Sequence, residues 1–333
     1  MKVYEIAKEK QVESKEIVAI CATLGFEVKP QNKLNPEQLE ALTSYFGNET
    51  TETVEVPKET NMPKPVKAAT VKKVKEVKET AVVVEETPVP KTVAYVVTEC
   101  EPFTSLGDLG QKTIAAVRNT TANGDQAVII MPKYSTLSMG ASSMEWIMDI
   151  PVYVGSDMHR ASIHRMTGHG VTYVFIGNEY FFEREEIYGY DDDLARFSFF
   201  NRAALNVLPY LGIKADEIQL SDWHTSIFSL IQKVQYKDHP HYADTKIVLN
   251  INDLMYQGWY GEDSLPNVLG IASEYYYNGL TRMGDSVNIL KSGIETADLI
   301  RLTEKSQEQL ALTEILESGI SYILENKLNT KTA

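Results

Sequence analysis

Cysteine is nearly absent from the chain: Cys21 and Cys100 are its only two in 333 residues. Two widely separated thiols make neither a disulfide framework nor a thiolate zinc site. No apolar run is long enough to cross a bilayer, and the N-terminus, "MKVYEIAKEK", has no signal-peptide hydrophobic region. Positive charge is also scarce, with 32 Lys and Arg against 46 Asp and Glu and a formal net charge of -14. Tight binding to a phosphate backbone needs clustered Lys and Arg, so nucleic acid is not expected as a partner. These absences together predict a soluble cytoplasmic protein with no membrane partner. The dinucleotide fingerprint G-x-G-x-x-G is missing as well. "GDLGQKT" ends like a P-loop, but the two glycines which that motif requires are replaced by Leu106 and Gln111.

What is present divides into three parts. Residues 1–50 read as a small helical module. Val3, Ile6 and Ala7 share one helix face, Ser14 is placed to cap "KEIVAICATL", and Asn35-Pro36 opens "PEQLEALTSYF". Residues 51–90 are rich in Pro, Lys, Glu, Val and Thr, with no aromatic residue and no glycine, and read as a disordered linker. The lysines of "KKVKEVK" alternate with glutamate, which suits a solvated tether. From residue 91 to 333 the pattern is α/β. The strand candidates are "TVAYVV", "QAVIIM", "VTYVFIG" and "TKIVLNI", and the intervening helices include "RFSFFNRAALNVLPYL" and "HTSIFSLIQKVQ". Such alternation predicts a doubly wound, mainly parallel sheet, with ligands bound beyond the carboxyl ends of its strands.

Several side chains carry two readings. His159, His164 and His169 recur every five residues, a spacing that fits neither a helix face nor a zinc site, and they read as surface histidines. "HPH" at 239–241 reads as a loop. Asp191 to Asp193 precede a helix and favour its N-terminus. Asp222 and His224 form either an acid–base pair or a strand-end cap for the next helix. Tyr256 and Gln257 offer an aromatic face and an amide, groups that suit a neutral carbohydrate.

The order of motifs carries a resemblance. "VVTECEPFTSLGDLGQKTIAAVRNTTANGDQAVIIMPKY", "EYFFEREEIYGYDDDLARFSFFNRAAL", "SDWHTS", "MYQGWY" and "NILKSGIETADLI" follow one another over residues 92–327. They resemble, in the same order, the N-terminal acceptor domain of bacterial glycogen synthases and plant starch synthases. Residues 1–50 resemble the N-terminal module of bacterial translation initiation factor 2. The first resemblance implies one half of a glycosyltransferase built from two Rossmann-like domains. Its second domain binds the sugar nucleotide, and "EILESGISYILENKLNTKTA" resembles the bridge between the two, so the donor domain is expected to be missing.

The resemblance also marks departures. The family's Lys-Thr-Gly-Gly turn, which serves the nucleotide-sugar phosphates, aligns with Ser105, Leu106, Gly107 and Asp108. Serine cannot supply the lysine's charge, and aspartate adds a negative one. The family's His-x-His aligns with Gln219 and Ser221, and its His-Asn pair with Asn252 and Asp253. The expectation is a catalytically degenerate glycosyltransferase domain acting as a glucan-binding or interaction protein. Asp222, His224, Tyr256 and Gln257 are its candidate glucan contacts, and Ser105, Gly107 and Asp108 form a degenerate donor-phosphate turn. No catalytic residue, metal or cofactor is expected, and the partner is an α-glucan or a protein. Two alternatives stand beside this reading. One is the acceptor half of a split α-1,4-glucan synthase that pairs with a separately encoded donor domain. The other is a translation-associated binding module.

Overall fold

The computed structural model describes residues 89–137 and 144–329. The expected helical module and all but the last two residues of the expected linker lie outside the described residues. In the described part, apolar β-branched runs form the central strands. β1 (Thr92–Val96), β2 (Gln126–Pro132), β5 (Val171–Gly177), β6 (Glu217–Ser221), β7 (Lys246–Ile251) and β11 (Leu299–Leu302) pair in parallel. β3 (Glu145–Val154) and β4 (Asp157–Gly168) extend this sheet as an antiparallel hairpin. The eight-stranded order is β11-β7-β6-β1-β2-β5-β4-β3. A second, antiparallel sheet joins β8 (Trp259–Tyr260), β9 (Arg282–Met283) and β10 (Ser286–Asn288).

The helices are α1 (Leu109–Ala122), α2 (Glu179–Phe182), α3 (Asp193–Tyr210), α4 (Asp222–Gln235), α5 (Glu274–Tyr277), α6 (Ile289–Thr296), α7 (Glu304–Gln309), α8 (Thr313–Ser318) and α9 (Ile320–Asn329). None of them is long and apolar enough to cross a membrane. α1 buries Gly110, Thr113, Ile114 and Val117, a single stripe at helical spacing. That stripe closes one core against Val93, Tyr95, Ile129 and Phe175 of β1, β2 and β5. Phe103 seals its end, meeting the rings of Tyr173 and Phe175 edge-on at 5.0 Å each. The other sheet face carries the larger core, where Phe197, Phe200, Leu205, Ile227 and Ile294 are wholly buried. Helices on both faces of a mainly parallel sheet are the doubly wound arrangement.

Two residues of the acidic run, Asp192 and Asp193, stand at the start of α3 and are used in ion pairing. Asp192 takes both terminal nitrogens of Arg184 at 2.6 Å, and Asp193 takes the fully buried Arg196 at 2.5 Å. Asp192 makes no side-chain cap bond to α3. The histidines divide. His159 packs at 4.8 Å on Phe181, His164 is half-buried on β4, and His169 sits exposed in the β4–β5 turn with φ +52°. His239 caps the short turn at Pro240–Tyr242.

Candidate functional site

β1 and β6 lie side by side, but the chain leaves β1 towards β2 and leaves β6 towards β7, on opposite sides. A crevice opens where such connections diverge, beyond the carboxyl ends of the strands. A cleft of about 500 Å³ lies there, with Glu99, Asp108, Tyr188, Asp222, His224 and Tyr256 among its lining residues.

Asp222 forms the floor. It begins α4 in the left-handed region, with φ +55°, and is 8% exposed. Its Oδ1 accepts from the backbone N–H groups of Asn252 at 2.7 Å and Asp253 at 3.1 Å, and its Oδ2 accepts from Asn252 Nδ2 at 3.1 Å. The side chain therefore ties the exit of β7 to the start of α4; it does not cap its own helix. Burial pushes the Asp222 carboxyl up from 3.8 to about 6, against the pull of those three bonds.

His224 does not pair with it. Its ring is packed among Trp223 at 4.2 Å, Tyr188 at 4.6 Å and Phe197 at 4.8 Å. Burial, aided by the Arg196 charge, lowers the imidazole to about 3, so it is neutral at physiological pH. It offers the cleft a neutral ring, not a charge.

Tyr256 and Gln257 part company. Tyr256 is 69% exposed on the cleft rim. Gln257 lies behind the wall, 4% exposed, with Nε2 donating to Leu254 O at 2.9 Å and Oε1 accepting from Asn288 Nδ2 at 2.8 Å. Its amide holds the loop that presents Tyr256. Gly258 follows with φ +68°, and a Cβ there would stand 2.8 Å from the Trp223 ring, so only glycine lets this loop close on α4.

The glycine turn is held from below by Glu99, a residue that motif reading did not select. Glu99 is 2% exposed; it accepts from the Leu106 backbone N–H and from Tyr188 Oη, the latter at 2.8 Å. Burial raises its carboxyl above the ordinary value. Gly107 takes φ +93°, and Ser105 Oγ donates to its carbonyl at 3.2 Å. Asp108 forms an ion pair with Lys112 at 2.7 Å, and that hydrogen bond lowers its carboxyl below the usual range. The cation nearest the turn is thus held by an aspartate of the turn itself.

The opposite wall comes from the chain after β7 and β11. Lys305 on α7 meets Asp253 at 2.6 Å, and Gln309 Nε2 donates to the same carboxylate at 2.8 Å. Burial opposes the Asp253 charge, but these partners hold its carboxyl below the ordinary value. Glu99, Asp108, Asp193, Asp222 and Asp253 line the cleft against the single amine of Lys305. Gln219 and Ser221 do not line it. Gln219 Oε1 accepts from Asn250 Nδ2 at 2.7 Å on the sheet face, and Ser221 N–H donates to Thr225 Oγ1 at 2.6 Å. Glu99 and Lys305 escaped the sequence because their place in the site is set by tertiary contact; a glutamate directly after an apolar strand was the only local signal.

Comparison with known proteins agrees with this architecture. The starch synthase catalytic domain model matches residues 92–326, and the model for the N-terminal region of translation initiation factor IF-2 matches residues 1–49. A glycogen synthase of Bacillus subtilis is 30% identical over 234 residues, covering 70% of this chain and 48% of that protein. A glycogen synthase of Clostridioides difficile is 35% identical over 213 residues, covering 62% and 44% respectively. The chain therefore spans about half the length of the curated relatives it matches. Among solved structures, the catalytic domain of starch synthase IV from Arabidopsis thaliana, bound to ADP and acarbose, aligns with a TM-score of 0.65 at 23% identity. That alignment covers 72% of this chain and 50% of the other, a likeness of fold.

Proposed function

Because the chain belongs to the starch synthase catalytic-domain family through residues 92–326, we propose that its cleft binds a neutral α-glucan and has lost the donor-phosphate chemistry of that family. The observation that carries this reading is the lack of an unpaired cation among the described residues that line the cleft: its one lysine, Lys305, is held by Asp253, and Lys112 beside the turn is held by Asp108. A nucleotide diphosphate brings two or more negative charges and would find no free cation there to neutralise them. A neutral glucan needs hydrogen-bonding groups and an aromatic face, and Tyr256 supplies an exposed ring at the rim. Asp108 and Ser105 stand where the family places glycine and lysine, and Asp108 already holds Lys112. In this reading Asp222, Glu99 and Gln257 are positioning residues, and Tyr256 touches the sugar.

Calorimetric titration tests it. Maltoheptaose should bind with little dependence on salt, ADP should not bind, and Tyr256→Ala should weaken maltoheptaose about tenfold. No glucose should pass from ADP-glucose to glycogen. Tight ADP binding, or glucose incorporation above a heat-killed control once a separate donor domain is supplied, would replace this reading with the acceptor half of a split synthase.

A further inference from the structure

Behind the Tyr188 wall of the cleft, one side chain joins three stretches of chain. Arg196 of α3 is fully buried. Its Nε donates to Phe181 O at 2.8 Å, and its Nη1 donates to Ile187 O at 2.9 Å and to Asp193 Oδ1 at 2.5 Å. The guanidinium thus ties α2, the segment leading to Tyr188 and the start of α3 to one another. Aromatic rings pack around it, with Cζ 4.8 Å from the Tyr190 ring centre and 5.5 Å from that of Phe197. One of its nitrogens is left over. Nη2 is buried and has no hydrogen-bond partner among the described residues.

A second orphaned donor lies close by. Tyr134, two residues past β2, is 4% exposed, and its hydroxyl also has no partner among the described residues. Its ring meets Phe182 edge-on at 5.7 Å, and Arg196 Cζ lies 6.0 Å from the centre of that same Phe182 ring. Burial pushes the Tyr134 phenol well above its ordinary value; of the charges that act on it, Arg196 is the strongest, ahead of Glu99 and Asp193. The neighbouring hydroxyls are already engaged: Tyr188 Oη donates to Glu99 Oε1 at 2.8 Å and pairs with Thr98 Oγ1 at 2.6 Å.

A buried N–H and a buried O–H without acceptors each cost folding free energy, and native proteins satisfy such groups with ordered water when no protein atom does so. Arg196 Nη2 and Tyr134 Oη do not bond to each other. We propose that a buried water molecule bridges Arg196 Nη2 and Tyr134 Oη, linking the exit of β2 to the post that supports the Tyr188 wall of the cleft. The water accepts from Nη2 and exchanges a hydrogen bond with the phenol, which gives it the two polar partners that a buried water needs at the least. An anion fits less well. Asp193 already neutralises Arg196, and the next charge is that of Glu99, so an added negative charge would find no cation to spare in a dry interior. The bridge does not depend on what the cleft binds.

Tyr134→Phe tests it, because it removes one oxygen and leaves the ring against Phe182. If a water bridges the two groups, the substitution strands that water, and the urea midpoint should fall with an unchanged slope. If the phenol is unsatisfied, the substitution deletes a costly buried hydroxyl, and the midpoint should rise. A high-resolution crystal structure of the full chain, grown in bromide, supplies the direct view. Density for one water within hydrogen-bond reach of both atoms, without a bromide signal, is the expected result. A raised midpoint, empty density between the two groups or a bromide peak there would each overturn the proposal, the last by replacing the water with an anion.

Discussion

On the floor of the cleft Asp222 collects three hydrogen bonds in a position almost closed to water, whereas in the turn above it Asp108 stands largely exposed and holds one lysine. Both are aspartates at the start of a helix, yet they answer to different physics. A buried carboxylate is retained because backbone and amide donors would be stranded without it. An exposed one in an ion pair contributes little to folding and is free to change with function. Ser105 and Asp108, the positions of the proposed departures from the family's pattern, both stand exposed on their turn.

The largest expected effect breaks the floor. Asp222→Ala leaves Asn252 N, Asn252 Nδ2 and Asp253 N without their acceptor, at about 1–3 kcal/mol for each buried donor. Relief of the buried charge offsets part of this, and alanine at φ +55° adds strain. A net loss of about 3 kcal/mol is expected at pH 7, read as a lower urea midpoint with an unchanged slope. Asp108→Ala should leave the same midpoint almost where it was.

The pH dependence sharpens the contrast. The Asp222 carboxyl rises from 3.8 to about 6 on folding, so between these values the native state holds a proton that the unfolded state has released. Stability from this group is therefore complete below about pH 4 and is lost as pH rises through about 6. The displacement corresponds to about 3 kcal/mol at most. Asp108 moves the opposite way: its lowered carboxyl contributes stability above the unfolded value and loses it as pH falls further. Urea denaturation at pH 4, 5, 6 and 7 on the wild type and Asp222→Asn should show a steeper loss with rising pH in the wild type than in the variant, which keeps only the contribution of groups such as Glu99. Parallel curves would mean that Asp222 keeps an ordinary carboxyl in the fold.

The same contrast explains what was legible in the sequence. β5 is the run "VTYVFIG" residue for residue, because a strand buried on both faces reads as a continuous apolar stretch. The β3–β4 hairpin does not read as strands. Its alternation is broken by a register shift between Trp146 and Met148, and its open face carries Trp, His and Arg in place of simple polar residues. β6 is only "EIQLS", too short and too polar to stand out. In the site, Asp222, His224 and Tyr256 were legible from motif order and meet at one cleft. The burial of Gln257 was not, since nothing local marks its amide as the partner of Asn288, 31 positions away.

The smallest expected effect tests the turn directly. Asp108 and Lys112 form an exposed pair one helical turn apart, with side chains 63% and 38% accessible. Pairs of this kind contribute about 0.3–0.5 kcal/mol, so Asp108→Gly should shift the urea midpoint by no more than that amounts to. Its consequence for anions should be larger than its consequence for stability, because it removes a negative charge from the turn and releases Lys112. Combined with Ser105→Lys, it recreates the charge that the family places against phosphate. ADP binding should then become measurable by calorimetry where the wild type shows none, and should weaken steeply with salt. If the double variant remains blind to ADP, loss of the turn's charge is not what separates this cleft from phosphate binding. The carboxyl groups of the floor and the opposite wall, Asp222 and Asp253, would then be the groups to neutralise next.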